Sequence, residues 1–296
     1  MNFLNQLLQG ALLGGFYALL ACGLSFLFGV MRVINLAHGS LAVLAAYWLM
    51  TFCNMSGLSP FLGLALMLPA MALVGWGLQV AVLNRSLKAG PLIPILSTFG
   101  VAIILDNGMF ETYGANSAAL GPFIGDLAYG SWSLTDTIYV GQLDALIFVT
   151  AVIVLGGLTL MLRYTPLGRT IRATADDPAV VELIGVNPHR IYAVAVAIAM
   201  VLVGLAGAAL GLRGSFDPYA GGPLLIFAFE TVVIGGVGSL WGTLIGGIVL
   251  GVSQNIGAEI SPHGFLIAGH AVFLAILIVR TYSWGGLRFP LRRAAA

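Results

Sequence analysis

Charged side chains are scarce in this sequence: Asp, Glu, Lys and Arg make up 8% of 296 residues, where soluble domains carry roughly a quarter. With 59% hydrophobic residues and a mean hydropathy of +1.03, so little charge excludes a water-clothed globule and predicts a membrane protein. The two cysteines, Cys22 and Cys53, both fall in apolar stretches, which argues against a disulfide framework and leaves them as small packing residues. Basic runs are absent and the net charge is +1, so nucleic acid finds no electrostatic footprint. The G-x-x-x-x-G-K-[ST] pattern is missing, so no nucleotide-binding loop is expected, and no metal-ligand pattern stands out. The opening residues MNFLNQLL lack a basic n-region and a small-residue cleavage site, so the first apolar segment is expected to be retained.

What is abundant is glycine, 40 residues of it. In lipid, glycines four apart let helix backbones approach closely, and Gly10/Gly14, Gly207/Gly211, Gly238/Gly242/Gly246 and Gly247/Gly251 have that spacing. About 20 apolar residues cross the hydrocarbon core, and on that criterion nine spans are predicted, at about 7–30, 37–55, 60–83, 91–110, 143–162, 191–212, 223–238, 241–258 and 264–282. The fold class is therefore an all-α polytopic membrane bundle, one transmembrane domain over 1–296, within a range of eight to ten spans. The Gly-rich join between the seventh and eighth can be a loop or a re-entrant break.

Eleven of the twelve basic residues fall on one side: Arg32, Arg85, Lys88, Arg163, Arg169, Arg172, Arg190, Arg280, Arg288, Arg292 and Arg293. Only Arg213 lies on the other, where segment 111–142 carries Glu111, Asp126 and Asp136. Cytoplasmic loops collect Lys and Arg, so an outside N-terminus and an inside C-terminus are expected. Nine spans with such ends divide as a first repeat over about 7–110, a linking span at 143–162, and a second repeat over about 191–282. The odd linking span inverts the second repeat relative to the first.

Three segments carry functional information. In GVMRVINLAHGS, residues 29–40, Arg32, Asn35 and His38 interrupt two apolar stretches. Polar groups at membrane depth must face protein or a water-filled path, although Asn35 can also simply cap the next helix. IGGVGSLWGTLIGG, residues 234–247, pairs close-packing glycines with Ser239 and Thr243. Asn35, His38, Gly39, Gly235, Gly236, Gly238 and Ser239 are the candidates for lining a translocation pathway. The loop RYTPLGRTIRATADDPAVVELIGVNPHR, residues 163–190, has Asp177 as N-cap, Pro178 at the first helical position and Gly185 at the left-handed C′ position. These bracket one short helix, and Asn187-Pro188 starts the next span. The helix presents Val180, Leu183 and Ile184 amid Arg169, Arg172, Asp176 and Glu182, an apolar ridge that calls for a partner.

Ionisable residues inside spans are functional candidates. Asp106, with its neighbour Asn107, and Glu230 are candidates for substrate contact or a vestibule, and His270 sits in the ninth span. Spread over three spans, they do not form an evident proton relay.

The stretches GLSFLFGVMRVINLAHGS, GRTIRATADDPAVVELIGVN and VVIGGVGSLWGTLIGGIVLG resemble the branched-chain amino-acid permease family of ABC importers, in order and spacing, over almost the whole length. The resemblance implies one of two homologous permease subunits in a bacterial inner membrane, with two cytoplasmic ATPases and a periplasmic solute-binding protein as partners besides membrane lipid. ATP would be used by the partners, and this chain would bind no cofactor. Residues 167–187 would dock on an ATPase through Arg169, Arg172, Asp176, Asp177, Pro178, Val180, Leu183, Ile184 and Gly185. The loop follows the EAA-x-x-x-G pattern of ABC importers loosely, with Ala179 and Gly185 offset. Related permeases carry urea, short amides or aromatic compounds as well as leucine, isoleucine and valine, so membership leaves the substrate open. A secondary transporter would need coupling carboxylates grouped near the midplane. An intramembrane enzyme has only Ser239 and His270 as a faint nucleophile and base pair, and a passive channel has little use for the capped loop.

Overall fold

A computed structural model describes residues 3–135 and 137–285. Asp136, Arg288, Arg292 and Arg293, used in the charge argument, lie outside the described residues. The chain is an all-α membrane protein. Eight helices are long and apolar enough to span a bilayer: α1 (Phe3–Met31), α2 (His38–Ser56), α3 (Pro60–Ala89), α4 (Ile93–Tyr113), α5 (Gln142–Tyr164), α8 (Pro188–Arg213), α10 (Leu240–Ile260) and α11 (Gly264–Gly285). Between α5 and α8 lie two short helices, α6 (Pro166–Asp176) and α7 (Pro178–Leu183). The expected seventh span, 223–238, is instead α9 (Gly221–Gly235), whose 15 residues rise only about 22 Å. It is shorter than a bilayer core and stops at the glycines that the sequence left open as a loop or a break.

Nearly all of α1 is buried, which makes it the axis of the bundle. Its glycines permit this. A Cβ on Gly247 of α10 would strike the Gly14 carbonyl, and one on Gly251 would strike the Gly10 carbonyl, so two of the predicted small-residue pairs are opposite faces of one crossing. Gly207 of α8 meets α2 in the same way at the Ala42 carbonyl. Gly238 is a correction: it has φ +81°, outside any helix, while Gly242 and Gly246 pack on the carbonyls of Gly235 and Thr231.

Two helices begin inside the bundle rather than at its ends. After α1, Arg32 adopts φ +55° and the chain turns back in extended form to His38, whose Nε2 lies 2.7 Å from the Leu20 carbonyl. Leu20 is eleven residues short of the end of α1, or about 16 Å along its axis. On the other side, residues 214–220 return from the end of α8 to Gly221, where α9 starts against α2. A Cβ on Gly39 would strike the Gly221 carbonyl, and one on Gly221 would approach the Ser40 nitrogen to 2.6 Å. From there α2 and α9 run toward opposite ends of the molecule.

At the end carrying Arg213, an antiparallel hairpin of β1 (Ser131–Thr135) and β2 (Ile138–Gly141) sits within segment 111–142. Its Tyr139 amide donates to Asn5 Oδ1 at 3.2 Å, fixing the hairpin to the start of α1. Arg213, the basic residue out of place in the charge tally, is paired at 2.8 Å with Asp144 of α5.

Candidate functional site

The junction of the two interrupted helices is the most unusual backbone feature. Neither α2 nor α9 has a side-chain cap, since Ala37 and Ala220 occupy the N-cap positions. The first N–H groups of both helices therefore lack side-chain acceptors within the helix, while just ahead of them Asn35 Oδ1 accepts from the Ala37 amide at 3.0 Å and Asp217 Oδ1 accepts from the Tyr219 amide at 2.8 Å, so a carboxylate stands at the start of α9. The Ser40 hydroxyl lies beside the Asp106 carboxylate, and Asp106 Oδ1 is a buried oxygen with no partner among the described residues. One residue on, Asn107 Oδ1 accepts from the Tyr219 hydroxyl at 3.4 Å, and Tyr219 leads into α9. Asp106 and Asn107 thus stand beside the junction rather than at the outer end of α4 alone.

Asn35 and His38 are both buried within the subunit. Asn35 Oδ1 accepts from the Ala37 amide at 3.0 Å, the cap-like role weighed from the sequence. The His38 ring packs toward Gly23, whose added Cβ would be 3.2 Å from its Cε1. Among the described residues Asn35 Nδ2 and His38 Nδ1 have no partner.

At the second break, Gly236 has φ +99° and Gly238 φ +81°, conformations that disfavour any side chain. Ser239 caps α10 by accepting from the Gly242 amide at 3.1 Å. The stranded carbonyls at the end of α9 are met by Arg280, which donates to Val233 O and Ile234 O at 2.8 Å each. Arg280 entered the sequence reading only as a topology marker.

The intramembrane ionisable residues are less scattered than the sequence suggested. Glu230 of α9 and His270 of α11 are in contact, Oε1 to Nδ1 at 2.5 Å, with Glu230 almost wholly buried. Phe227 stacks near His270 and Tyr17, and Tyr17 donates to Gln254 Oε1 at 2.5 Å. Nothing in the spacing of Glu230 and His270 announces this pairing, because α10 lies between them in the chain. The faint Ser239–His270 enzyme pairing gains no support, since the hydroxyl caps α10 and the imidazole is held by Glu230.

In loop 163–190 the expected helix is present as α7. Asp177 Oδ1 accepts from the amides of Ala179 and Val180 at 2.9 and 3.2 Å, and Gly185 has φ +85°. Val180, Leu183 and Ile184 are 55, 86 and 75% exposed, while Val181 packs inward, so the ridge is left uncovered among the described residues. The expectation of one helix is corrected by α6, which buries Gly168, Ile171 and Thr174. Its signal was available: Thr165-Pro166 is the same cap-and-proline pair as Asp177-Pro178, and Thr165 Oγ1 accepts from the Gly168 amide at 3.0 Å.

A family profile described as the permease component of branched-chain amino-acid transport systems matches residues 6–281. A high-affinity branched-chain amino-acid permease protein of Pseudomonas aeruginosa, BraD, is 32% identical over 270 residues, covering 88% of this chain and 87% of the relative. LivH of Salmonella typhimurium is 30% identical over 293 residues, covering 94% of each. A fructose import permease of Rhizobium meliloti, FrcC, is 30% identical over 262 residues, covering 83% of this chain and 69% of the relative.

Proposed function

The chain belongs to the permease components of branched-chain amino-acid transport systems and is a membrane subunit of an ABC importer, and from this we propose a substrate, a path and a coupling mechanism. The substrate is a branched-chain amino acid, with related small polar solutes such as urea or short amides as the alternative. The carrying observation is the meeting of two uncapped helix starts beside the Asp106 carboxylate. Helix N-termini favour a carboxylate, and the Asp106 carboxylate, whose Oδ1 has no partner among the described residues beside its Ser40 contact, favours an ammonium, so the junction offers both charges that a zwitterion needs. Asn107 and Tyr219 extend the polar lining, and Gly39 sets the close approach of α2 to the start of α9. The breaks at Gly235, Gly236, Gly238 and Ser239 form the inner constriction.

In this reading, residues 7–110 and 191–282 are two inverted four-helix units about the linking span α5. Mid-depth starts for α2 and α9 in opposite directions support it. Two cytoplasmic ATPases, a second homologous permease and a periplasmic binding protein complete the machine, with this N-terminus periplasmic and C-terminus cytoplasmic. Nucleotide binding pulls on α6 and α7 through Arg169, Arg172, Asp176, Asp177, Pro178 and the Val180/Leu183/Ile184 ridge, and the two units rock to alternate access.

Purification from native membranes, then uptake of labelled leucine competed by urea, phenylalanine and fructose, tests the reading. Leucine uptake that depends on ATP and falls about tenfold or more in Asp106→Asn, as expected for losing a charged hydrogen-bond partner, supports it. Unchanged uptake in a correctly inserted variant removes Asp106 from the path, and competition by urea or fructose alone reassigns the substrate.

A further inference from the structure

A groove of 340 Å³ opens between the basic end of α5, α6 and the start of α10. Arg163, Arg172, Thr159 and Ser239 line it together with the apolar Leu162, Leu240 and Trp241, and no Asp or Glu is among its lining residues. Both arginines are exposed. Among the described residues neither guanidinium has a carboxylate partner, and Arg163 rests only over the Tyr164 ring, 5.4 Å from its centroid. The Ser239 oxygen is used in accepting from the Gly242 amide, which leaves its hydroxyl proton to donate.

Away from the arginines the chemistry changes. The Trp241 ring reaches along α5 to Gly156, where an added Cβ would be 4.0 Å from Cζ2, and Gly157 has nothing within 4 Å of an added Cβ. Gly156 is eight residues before the end of α5, so the ring lies about 12 Å inside the level of that helix end. Trp241 and Tyr164, both exposed, fit the amphipathic belt at a membrane–water boundary. Two unpaired cations above an aromatic-walled apolar slot match a phosphate headgroup above an acyl chain.

We propose that this groove binds a phospholipid with a net negative headgroup, such as phosphatidylglycerol, with the phosphate between Arg163 and Arg172 and one acyl chain along Trp241. The lipid would tie α6 to Ser239 and the glycine break before it. Its assignment to the cytoplasmic leaflet rests on the orientation proposed above, but occupancy does not.

The full chain is reconstituted in nanodiscs of phosphatidylcholine with and without phosphatidylglycerol, and retained lipid is counted by native mass spectrometry after mild detergent extraction. Retained phosphatidylglycerol is expected to fall about fivefold for each of Arg163→Gln and Arg172→Gln, and not to fall in Arg190→Gln, an exposed arginine at the same end but outside the groove. Equal loss in all three variants, or retention without preference for the anionic lipid, overturns the proposal. Displacement by inorganic phosphate at matched ionic strength also overturns it, assigning the groove to soluble phosphate. Should the arginine variants fail to fold, quenching of the Trp241→Phe-sensitive fluorescence decides on the native residues. Stronger quenching by brominated phosphatidylglycerol than by brominated phosphatidylcholine supports the proposal, and equal quenching sinks it.

Discussion

A methyl group added at Gly242 would drive into the Gly235 carbonyl, a backbone atom that cannot rotate aside. Gly242→Ala is therefore expected to cost about 1–3 kcal/mol through overpacking, read as a lower melting temperature in detergent. Gly236 differs, because an added Cβ meets only the far end of Arg280 at 3.7 Å, and the obstacle is φ +99°. Gly236→Leu should keep insertion but lose uptake, with a backbone penalty of about 1–3 kcal/mol for a sparsely populated conformation, and normal uptake by that variant would remove the break from the path. Arg280→Ala strands two carbonyls at the end of α9, each worth about 1–3 kcal/mol when left without a partner. Arg280→Lys should rescue it only in part, since an ammonium lacks the planar fork. Limited proteolysis at the α9–α10 join would report the order of destabilisation. At this scale the glycine breaks were legible in sequence, because positive φ selects glycine. The role of Arg280 was not, because its partners are carbonyls, which carry no residue identity.

Among the elements, α7 has the clearest consequence. Its exposed ridge contributes little to the chain's own packing, so Leu183→Asp should leave the melting temperature within about 0.5 kcal/mol of stability while abolishing co-purification of the ATPase and nucleotide-dependent uptake. A large drop in melting temperature would instead mean that the ridge packs on the chain itself. Caps at Asp177 and Asn187 were readable because capping is local chemistry between a side chain and amides two or three residues on. The interruption of α2 is a contrary case. Asn35 and His38 marked it as polar, but whether such groups face water or protein depends on neighbours from α1 and α8, and the structure turns His38 onto the Leu20 carbonyl. Length separated α9 from a full span, since 15 residues of continuous helix cannot cross the core.

Taken whole, the molecule makes a topological prediction. Cys22 and Cys53 are buried, so a cysteine introduced elsewhere should report alone to an impermeant maleimide. A cysteine at exposed Ser131 in the hairpin should be labelled from outside intact cells, and one at exposed Ala89 only after lysis. The reverse pattern would invert the orientation and move the exposed ridge of α7 to the outer face. Arg213 is no counterweight to this, because Asp144 neutralises it in place.

The membrane class, most of the spans and the exposed, capped helix α7 were determined by sequence alone, because hydropathy and capping act over lengths of one helix or less. The tertiary structure decided which polar residues meet: Glu230 with His270, Asp106 with Ser40, and Arg280 with the end of α9. Each pair joins elements separate in the chain, and only backbone contacts at glycines such as Gly14, Gly39 and Gly242 set the depths at which those elements lie side by side.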